Sequence, residues 1–321
     1  MLSNLLEYHW VEDVDDALIL LSRPDIKTVP LAGGTYLLGQ NDEDESIQAV
    51  VDLRDLGLAY ISEDQRGIRI GSMTTLQSMA EAPLLKSFLG GLLAQAAQYS
   101  APSPLIRNAA TLGGTLALGA SAQADLLTAL AVVDAEVVLR SGQKTQVDLR
   151  GGTPERPGLA LSGVTYKGKQ ERRLPYHRLS LERRPQELII EVQIAPPGRG
   201  WGTALERVGR SAVDTALLTA AALVEVENGR YRSVRLALGG VNMEPQRLPT
   251  IERRLEGQPV QDLRLLAAAV QAGLTDFRPP ADFRASQGYR RVCGANLAYR
   301  ALEEAANIAR WRDITSSEGR A

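Results

Sequence analysis

The sequence predicts an α+β protein of two domains, and three observations carry that prediction. Residues 151–168 are rich in Gly and Pro and divide the chain into halves of different texture. Beyond them, two alternating apolar segments, 220–227 and 232–238, flank Asn228-Gly229, a strong two-residue hairpin signal, and helical patterns follow. Before them, short apolar strands alternate with helices, and one heptad occurs twice: GGTYLLG at Gly33–Gly39 and GGTLALG at Gly113–Gly119. A length of 321 residues leaves room for both domains and a large core.

The elements follow in order. Val14, Ala17, Leu18 and Leu21 fall at helical spacing, which gives a helix over 13–21 that Arg23-Pro24-Asp25 stops. Residues 28–31 form a short strand that delivers the first glycine loop. Residues 41–45 are an acidic, solvated loop, and 48–52 the next strand. Segments 58–62 and 68–71 make a hairpin around Gln65-Arg66-Gly67. Thr74 and Gln77 form a capping box for a helix through Ala80. Residues 83–99 are further helix, broken near Gly90-Gly91. The Pro- and Ser-rich stretch 100–104 is loop, followed by the second glycine loop. A helix over 125–133 and a strand over 136–140 complete this half. In the second half, 187–194 is a strand, the Asn228-Gly229 hairpin follows, and then come helices over 251–255, 262–272 and 286–308, with a frayed tail from Ser316.

Composition narrows the chemistry. A net charge of −2 offers no basic surface to nucleic acid or to an anionic membrane. A single cysteine, Cys293, rules out a disulfide framework and a four-thiolate iron–sulfur cluster held by this chain alone. His9 and His177 are too few and too far apart in sequence to suggest a metal site. The first residues turn acidic at once, unlike a signal peptide, and no run of 18 apolar residues exists, so the chain reads as cytoplasmic with no membrane span.

The repeated heptad points to a ligand. Adjacent glycines let a backbone turn tightly and bring its N–H groups against a bound molecule, because no Cβ intervenes. Successive N–H groups aimed one way favour phosphate oxygens. Thr111 and Thr115 flank the second pair and add hydroxyls. Neither copy matches the dinucleotide fingerprint GxGxxG or the P-loop GxxxxGK[ST], so the reading rests on there being two copies serving one extended, phosphate-bearing ligand.

Several segments resemble, in the right order, one known family. VPLAGGTYLL (29–38), IRNAATLGGTLA (106–117) and ADLLTALAVVDAEVVL (124–139) are followed by ALERVGRSAVDTALLTAAALVEV (204–226) and LALGGVNMEPQRLP (236–249). Together they resemble the FAD-binding medium subunit of the xanthine dehydrogenase and carbon monoxide dehydrogenase family of molybdenum hydroxylases. The resemblance implies an FAD-binding domain of the vanillyl-alcohol-oxidase (PCMH) type over 1–170, in two subdomains split near residue 55. It implies a flavoprotein C-terminal domain over 171–310 and a tail over 311–321.

It also implies site residues. Leu31, Ala32, Gly33, Gly34, Thr35, Tyr36 and Leu37 would hold FAD from one side, and Thr111, Leu112, Gly113, Gly114 and Thr115 from the other. Asp125 would contact polar groups of the ligand or cap the helix that follows it, and Ile189 would touch the adenine end or belong to the core. No catalytic side chain and no metal ligand is implied, since a flavin carries the redox chemistry itself. The partners implied are an iron–sulfur small subunit and a molybdopterin large subunit in a dimer of heterotrimers, with NAD, a quinone or oxygen as acceptor. The alternative is a stand-alone FAD-dependent reductase acting directly on a small molecule.

The sequence departs from the family pattern in three places. Thr115 stands where Asn is common, and Tyr36 where Asp or His is common. The interval from Thr111 to Asp125 is one residue longer and lacks a customary proline. The dibasic pairs Arg172-Arg173 and Arg183-Arg184 read as solvated surface or as a docking face for a partner.

Overall fold

The computed structural model describes residues 2, 4–39, 46–101, 103–119, 124–146, 164–211, 214–240, 243–275 and 277–318. The acidic tract 41–45 and the Gly/Pro-rich residues 151–163 lie outside these. The described chain forms three sheets, with helices packed against them.

The first subdomain is small and parallel. It holds β1 (Glu7–Trp10), α1 (Val14–Leu21), β2 (Thr28–Leu31) and β3 (Ala49–Asp52), with strand order β1-β3-β2. Both β1 and β2 run parallel to the central β3, and α1 carries the chain from one edge of the sheet to the other. Asp13 caps α1 by accepting from the Asp15 N–H at 2.6 Å. The central strand β3 is buried along its whole length, whereas β1 is half exposed, and its mixed sequence EYHW gave no strand signal.

The second subdomain is an antiparallel five-stranded sheet with helices on one face. Its strands are β4 (Ile61–Asp64), β5 (Gly67–Gly71), β6 (Glu136–Gln146), β7 (Val164–Pro175) and β8 (Leu188–Ile194), in the order β4-β5-β8-β6-β7. Against it pack α2 (Leu76–Glu81), α3 (Pro83–Ser87), α4 (Leu92–Ser100), α5 (Pro104–Ala109), α6 (Leu112–Leu118), α7 (Ala124–Val132) and α8 (Leu179–Glu182). The expected break near Gly90 is a 3-10 turn over Phe88–Gly91, with Leu89 and Gly90 at positive φ. Ile68, Ile70, Leu93, Leu130, Val137 and Val192 are fully buried in one core shared by sheet and helices.

The last domain carries β9 (Trp201–Val208), β10 (Leu218–Glu227), β11 (Arg230–Gly240) and β12 (Met243–Arg247), antiparallel in the order β12-β11-β10-β9. Three helices follow: α9 (Pro249–Leu255), α10 (Leu263–Gly273) and α11 (Gln287–Glu318). The hairpin turn has Asn228 at φ 52 and Gly229 at φ 71. That pair of positive angles is what a type I′ turn requires. Helix α11 packs so closely on β9 that a Cβ at Gly202 would overlap the Ala305 carbonyl oxygen.

Several expectations are corrected. The helix cap is Thr75, which accepts from the Ser78 N–H, and not Thr74; the Thr74 hydroxyl donates instead to the Tyr60 carbonyl at 2.9 Å. Strands β1, β7, β9 and β12 and helices α5 and α6 come where none was expected. Helix α11 runs to Glu318, past the expected end at residue 308. The division expected after residue 170 falls inside β7, while β8, further on, pairs with both β5 and β6. We infer a boundary between Ile194 and Trp201, where the chain leaves this sheet for the next. Among the described residues no helix is long and apolar enough to cross a membrane.

One buried carboxylate ties β8 to its neighbours. Glu191 accepts from Arg69 Nη2 at 2.7 Å, from Gln193 Nε2 at 2.5 Å and from the Tyr60 hydroxyl. Burial alone would raise the Glu191 carboxyl, but these donors outweigh it and hold it below its ordinary value. Burial and the nearby carboxylate push Tyr60 up to about 12. A carboxylate depressed in the folded state adds stability above its unfolded pKa, and that stability is lost as pH falls through the folded pKa. Glu191→Gln should therefore lower stability by about 1–3 kcal/mol at neutral pH. The gap from the wild type should close as acid protonates the wild-type carboxylate, and denaturant midpoints measured at several pH values check this. A gap that widens in acid would contradict the assignment.

Candidate functional site

The two glycine heptads line one cavity, but they are built differently. The first follows β2 as an irregular turn. Gly34 sits at φ +68, a conformation that L side chains rarely adopt. The turn closes on itself through Leu38 N–H to the Gly34 carbonyl at 2.9 Å and Gly39 N–H to the Tyr36 carbonyl at 3.1 Å. The N–H groups of Gly33, Gly34, Thr35, Tyr36 and Leu37 make no hydrogen bond among the described residues. Five successive uncommitted donors are available to an anionic ligand.

The second heptad is the helix α6, entered through Thr111. Thr111 Oγ1 caps it by accepting from the Gly114 N–H at 3.1 Å. Leu112 N–H donates to the Thr74 carbonyl at 2.9 Å, Gly113 N–H to Ser72 at 2.7 Å, and Thr115 N–H to Thr111 at 2.9 Å. These donors are spent inside the protein, so this copy offers no N–H nest of the kind expected. What it offers is a gap in its side chains at Gly114, between Thr111 and Ala117. A Cβ at Gly114 would meet only Thr111 Oγ1, at 3.1 Å, and this edge lines the cavity.

The first heptad packs on the peptide group of Ala109, just ahead of the second, and the second packs on Ser72. A Cβ at Gly33 would overlap the Ala109 carbonyl oxygen, and one at Gly113 would press on Ser72. Between the heptads lies a cavity of about 220 Å³ lined by Leu31, Gly33, Gly34, Thr35, Tyr36, Leu37, Thr111 and Thr115. It shares Pro30, Ala32, Gly114 and Ala117 with a larger cavity of about 470 Å³, whose wall includes Glu187, Leu188 and Ile189. The two are parts of one elongated cleft of the size that small-molecule sites have.

Most of the expected site residues gather there, and two do not. Leu112 is fully buried in the core. Asp125 is the second residue of α7, not its cap. Its buried carboxylate accepts from the Thr219 hydroxyl on β10 and lies 3.7 Å from Arg207 Nε on β9. Burial pushes the Asp125 carboxyl up, against the opposing pull of Thr219 and Arg207. Ile189 is both buried and part of the cleft wall.

Sequence reasoning missed Ser72, Met73, Gln186 and Arg183, which also line the larger cavity. The Ser72 hydroxyl is buried without a hydrogen-bond partner among the described residues. Nothing in the local sequence GSMTT marked it, because its place depends on how β5 is seated beside α6.

This cleft fits a dinucleotide: it is long, has uncommitted donors along one wall and glycine on the other, and its larger part sets apolar side chains such as Leu188 and Ile189 beside charged ones. Residues 4–150 match the FAD binding domain in molybdopterin dehydrogenase, and residues 203–305 match the CO dehydrogenase flavoprotein C-terminal domain. The chain belongs to the molybdenum-hydroxylase flavoprotein family.

Within that family, the xanthine dehydrogenase FAD-binding subunit of Escherichia coli O157:H7 is 28% identical over 309 residues, covering 94% of this chain and 96% of the relative. The carbon monoxide dehydrogenase medium chain of Afipia carboxidovorans is 26% identical over 291 residues, covering 88% of this chain and 93% of the relative. In fold, the chain superposes on a carbon monoxide dehydrogenase from Hydrogenophaga pseudoflava with a TM-score of 0.78, covering 96% of this chain and 99% of the other at 24% identity. The family's cofactor is FAD and its members are oxidoreductases.

Two substitutions separate the roles of the glycines. Gly33→Ala should cost about 1–3 kcal/mol of stability, because its Cβ collides with rigid backbone. Gly114→Val should lower the melting temperature only modestly, since the one atom its Cβ would crowd is the Thr111 hydroxyl oxygen at 3.1 Å. It should nevertheless raise the FAD Kd at least about tenfold, the loss of ~1.4 kcal/mol of binding. Flavin absorbance of the purified proteins, read beside their melting curves, checks both. A fully yellow Gly114→Val protein would rule out contact at that residue.

Proposed function

We propose that this chain is the FAD-carrying electron-transfer subunit of a heteromeric molybdenum hydroxylase. In this reading it takes electrons from iron–sulfur clusters on a small partner subunit and passes them to NAD, a quinone or oxygen. The observation that carries the reading is the row of uncommitted N–H groups from Gly33 to Leu37, set in the same cavity as the side-chain-free edge at Gly114.

The residues would divide the cofactor between them. The first glycine turn offers N–H donors to the pyrophosphate. Gly114 allows close approach from the other wall, and the Ser72 hydroxyl gains the partner it lacks. Leu188 and Ile189 give the adenine an apolar seat. FAD, when bound, supplies the conversion between two-electron and one-electron transfer. The chain's own part is to bind and orient it.

A partnership follows from what the chain lacks. Its single cysteine cannot supply the four thiolates of an iron–sulfur cluster. Among the residues lining the cleft the one carboxylate is Glu187, and Arg172 holds it at 2.8 Å and 3.0 Å. No carboxylate of the cleft is therefore left free to activate a substrate. The carbon monoxide dehydrogenase from Hydrogenophaga pseudoflava is described with respect to a molybdenum cofactor, which belongs to that enzyme. By analogy, the substrate of this complex would be handled on another subunit.

The isolated chain, loaded with FAD, should reduce artificial acceptors weakly at most and hydroxylate no aldehyde or purine. The chain purified from its native source should carry iron–sulfur and molybdopterin subunits with it. Hydroxylation assays on the isolated chain, with metal analysis of the native preparation, test this. Robust hydroxylation by the single chain would replace the proposal with a stand-alone enzyme.

A further inference from the structure

Three cationic side chains line the larger part of the cleft: Arg23, Lys27 and Arg183. Two are already engaged. Arg23 pairs with Glu7 at 2.5 Å and Asp25 at 3.2 Å, and Lys27 donates to the Ser46 hydroxyl at 2.5 Å. The Arg183 side chain has no hydrogen-bond or ion-pair partner among the described residues. The acid on the same wall cannot serve it. Glu187 accepts from Arg172 Nε and Nη2, and its Oε2 also accepts from the Arg184 N–H at 2.8 Å.

Arg183 is nonetheless drawn inward. Its N–H closes the last turn of α8 on the Leu179 carbonyl at 3.0 Å, and Pro185 follows directly. Burial lowers its guanidinium from the usual value, against the weaker pull of Glu187. A partly desolvated cation with no hydrogen-bonded counter-ion is unfavourable. It stands in the same cavity as Gly113, Gly114 and the unpartnered Ser72 hydroxyl. The N–H groups of the first glycine turn contribute partial charges only, whereas a diphosphate brings full negative charge. A planar guanidinium matches phosphate oxygens with two parallel hydrogen bonds.

We propose that Arg183 anchors the cofactor's diphosphate as its ionic partner in the cleft. This rests on the FAD reading of the cleft and adds to it a charged residue from the segment between α8 and β8. The dibasic pair Arg183-Arg184 is then neither plain surface nor a docking face: one guanidinium serves the cofactor, and the neighbouring backbone N–H serves Glu187.

The experiment titrates FAD, ADP and adenosine into the flavin-free full chain by calorimetry, for the wild type and for Arg183→Gln, at low and at moderate salt. Arg183→Gln should weaken FAD and ADP about tenfold or more, leave adenosine unchanged, and flatten the salt dependence of FAD binding. Equal ADP affinity in the two proteins overturns the proposal. So does an equal loss for ADP and adenosine, which would place the contact on the nucleoside. Should Arg183→Gln not fold, Arg183→Lys decides. It keeps the charge without the fork and should weaken ADP several-fold with adenosine unchanged, and unchanged ADP binding overturns the proposal. A wild-type chain that binds neither FAD nor ADP overturns the reading of the cleft itself and this inference with it. Wild-type binding with an indifferent Arg183 removes the inference alone.

Discussion

The cleft depends on one close approach. The Ala109 carbonyl oxygen occupies the space where any residue but glycine at position 33 would place its Cβ. That contact seats the turn after β2, in the parallel sheet, against the α5–α6 segment of the next subdomain. Gly113 repeats the device against Ser72, at the end of β5. Backbone therefore packs on backbone twice. The gap that remains is narrow enough for main-chain donors on one side and the helix edge at Gly114 on the other to reach the same ligand.

The two copies of GGTxxLG are alike in sequence and unlike in structure. In the first, Gly34 at positive φ turns the chain and leaves five N–H groups uncommitted. In the second, Thr111 caps a helix and the donors are spent on Thr74, Ser72 and Thr111 itself. The same letters serve a nest in one place and a close wall in the other. The difference comes from what precedes each copy: the strand β2 ends in open backbone, whereas α5 ends in Ala110 and leads directly into the cap at Thr111.

The strand β8 joins the site to the rest of the fold. Its Glu191 gathers Tyr60, Arg69 and Gln193 on one side of the sheet. Its first residues, Leu188 and Ile189, form part of the cleft wall. Because β8 lies between β5 and β6, this part of the cleft wall is anchored in the middle of a sheet. Asp125 belongs to a different junction. With Thr219 and Arg207 it links α7 to β9 and β10, so a residue expected at the ligand is held by the last domain instead.

The sequence by itself determined the local pieces whose physics is local. Helical spacing placed α1, and an apolar run with its flanking turn placed β2. Asn228-Gly229 fixed its hairpin, because that turn needs two residues at positive φ. The repeated heptad marked both walls of the cleft, and the order of its flanking motifs carried the family resemblance. Only the tertiary structure decided matters that depend on residues distant in the chain. Strands β1, β7, β9 and β12 are too short, too polar or too edge-like to read from composition, and they exist because neighbours supply their hydrogen bonds. Ser72 and Arg183 look like ordinary turn and surface residues until β5 and the α8–β8 segment bring them to one cavity. The same holds for Asp125, whose partners lie about 80 and 90 residues further along the chain. Burial, pairing and pKa are properties of such meetings, and a linear sequence does not state which meetings occur.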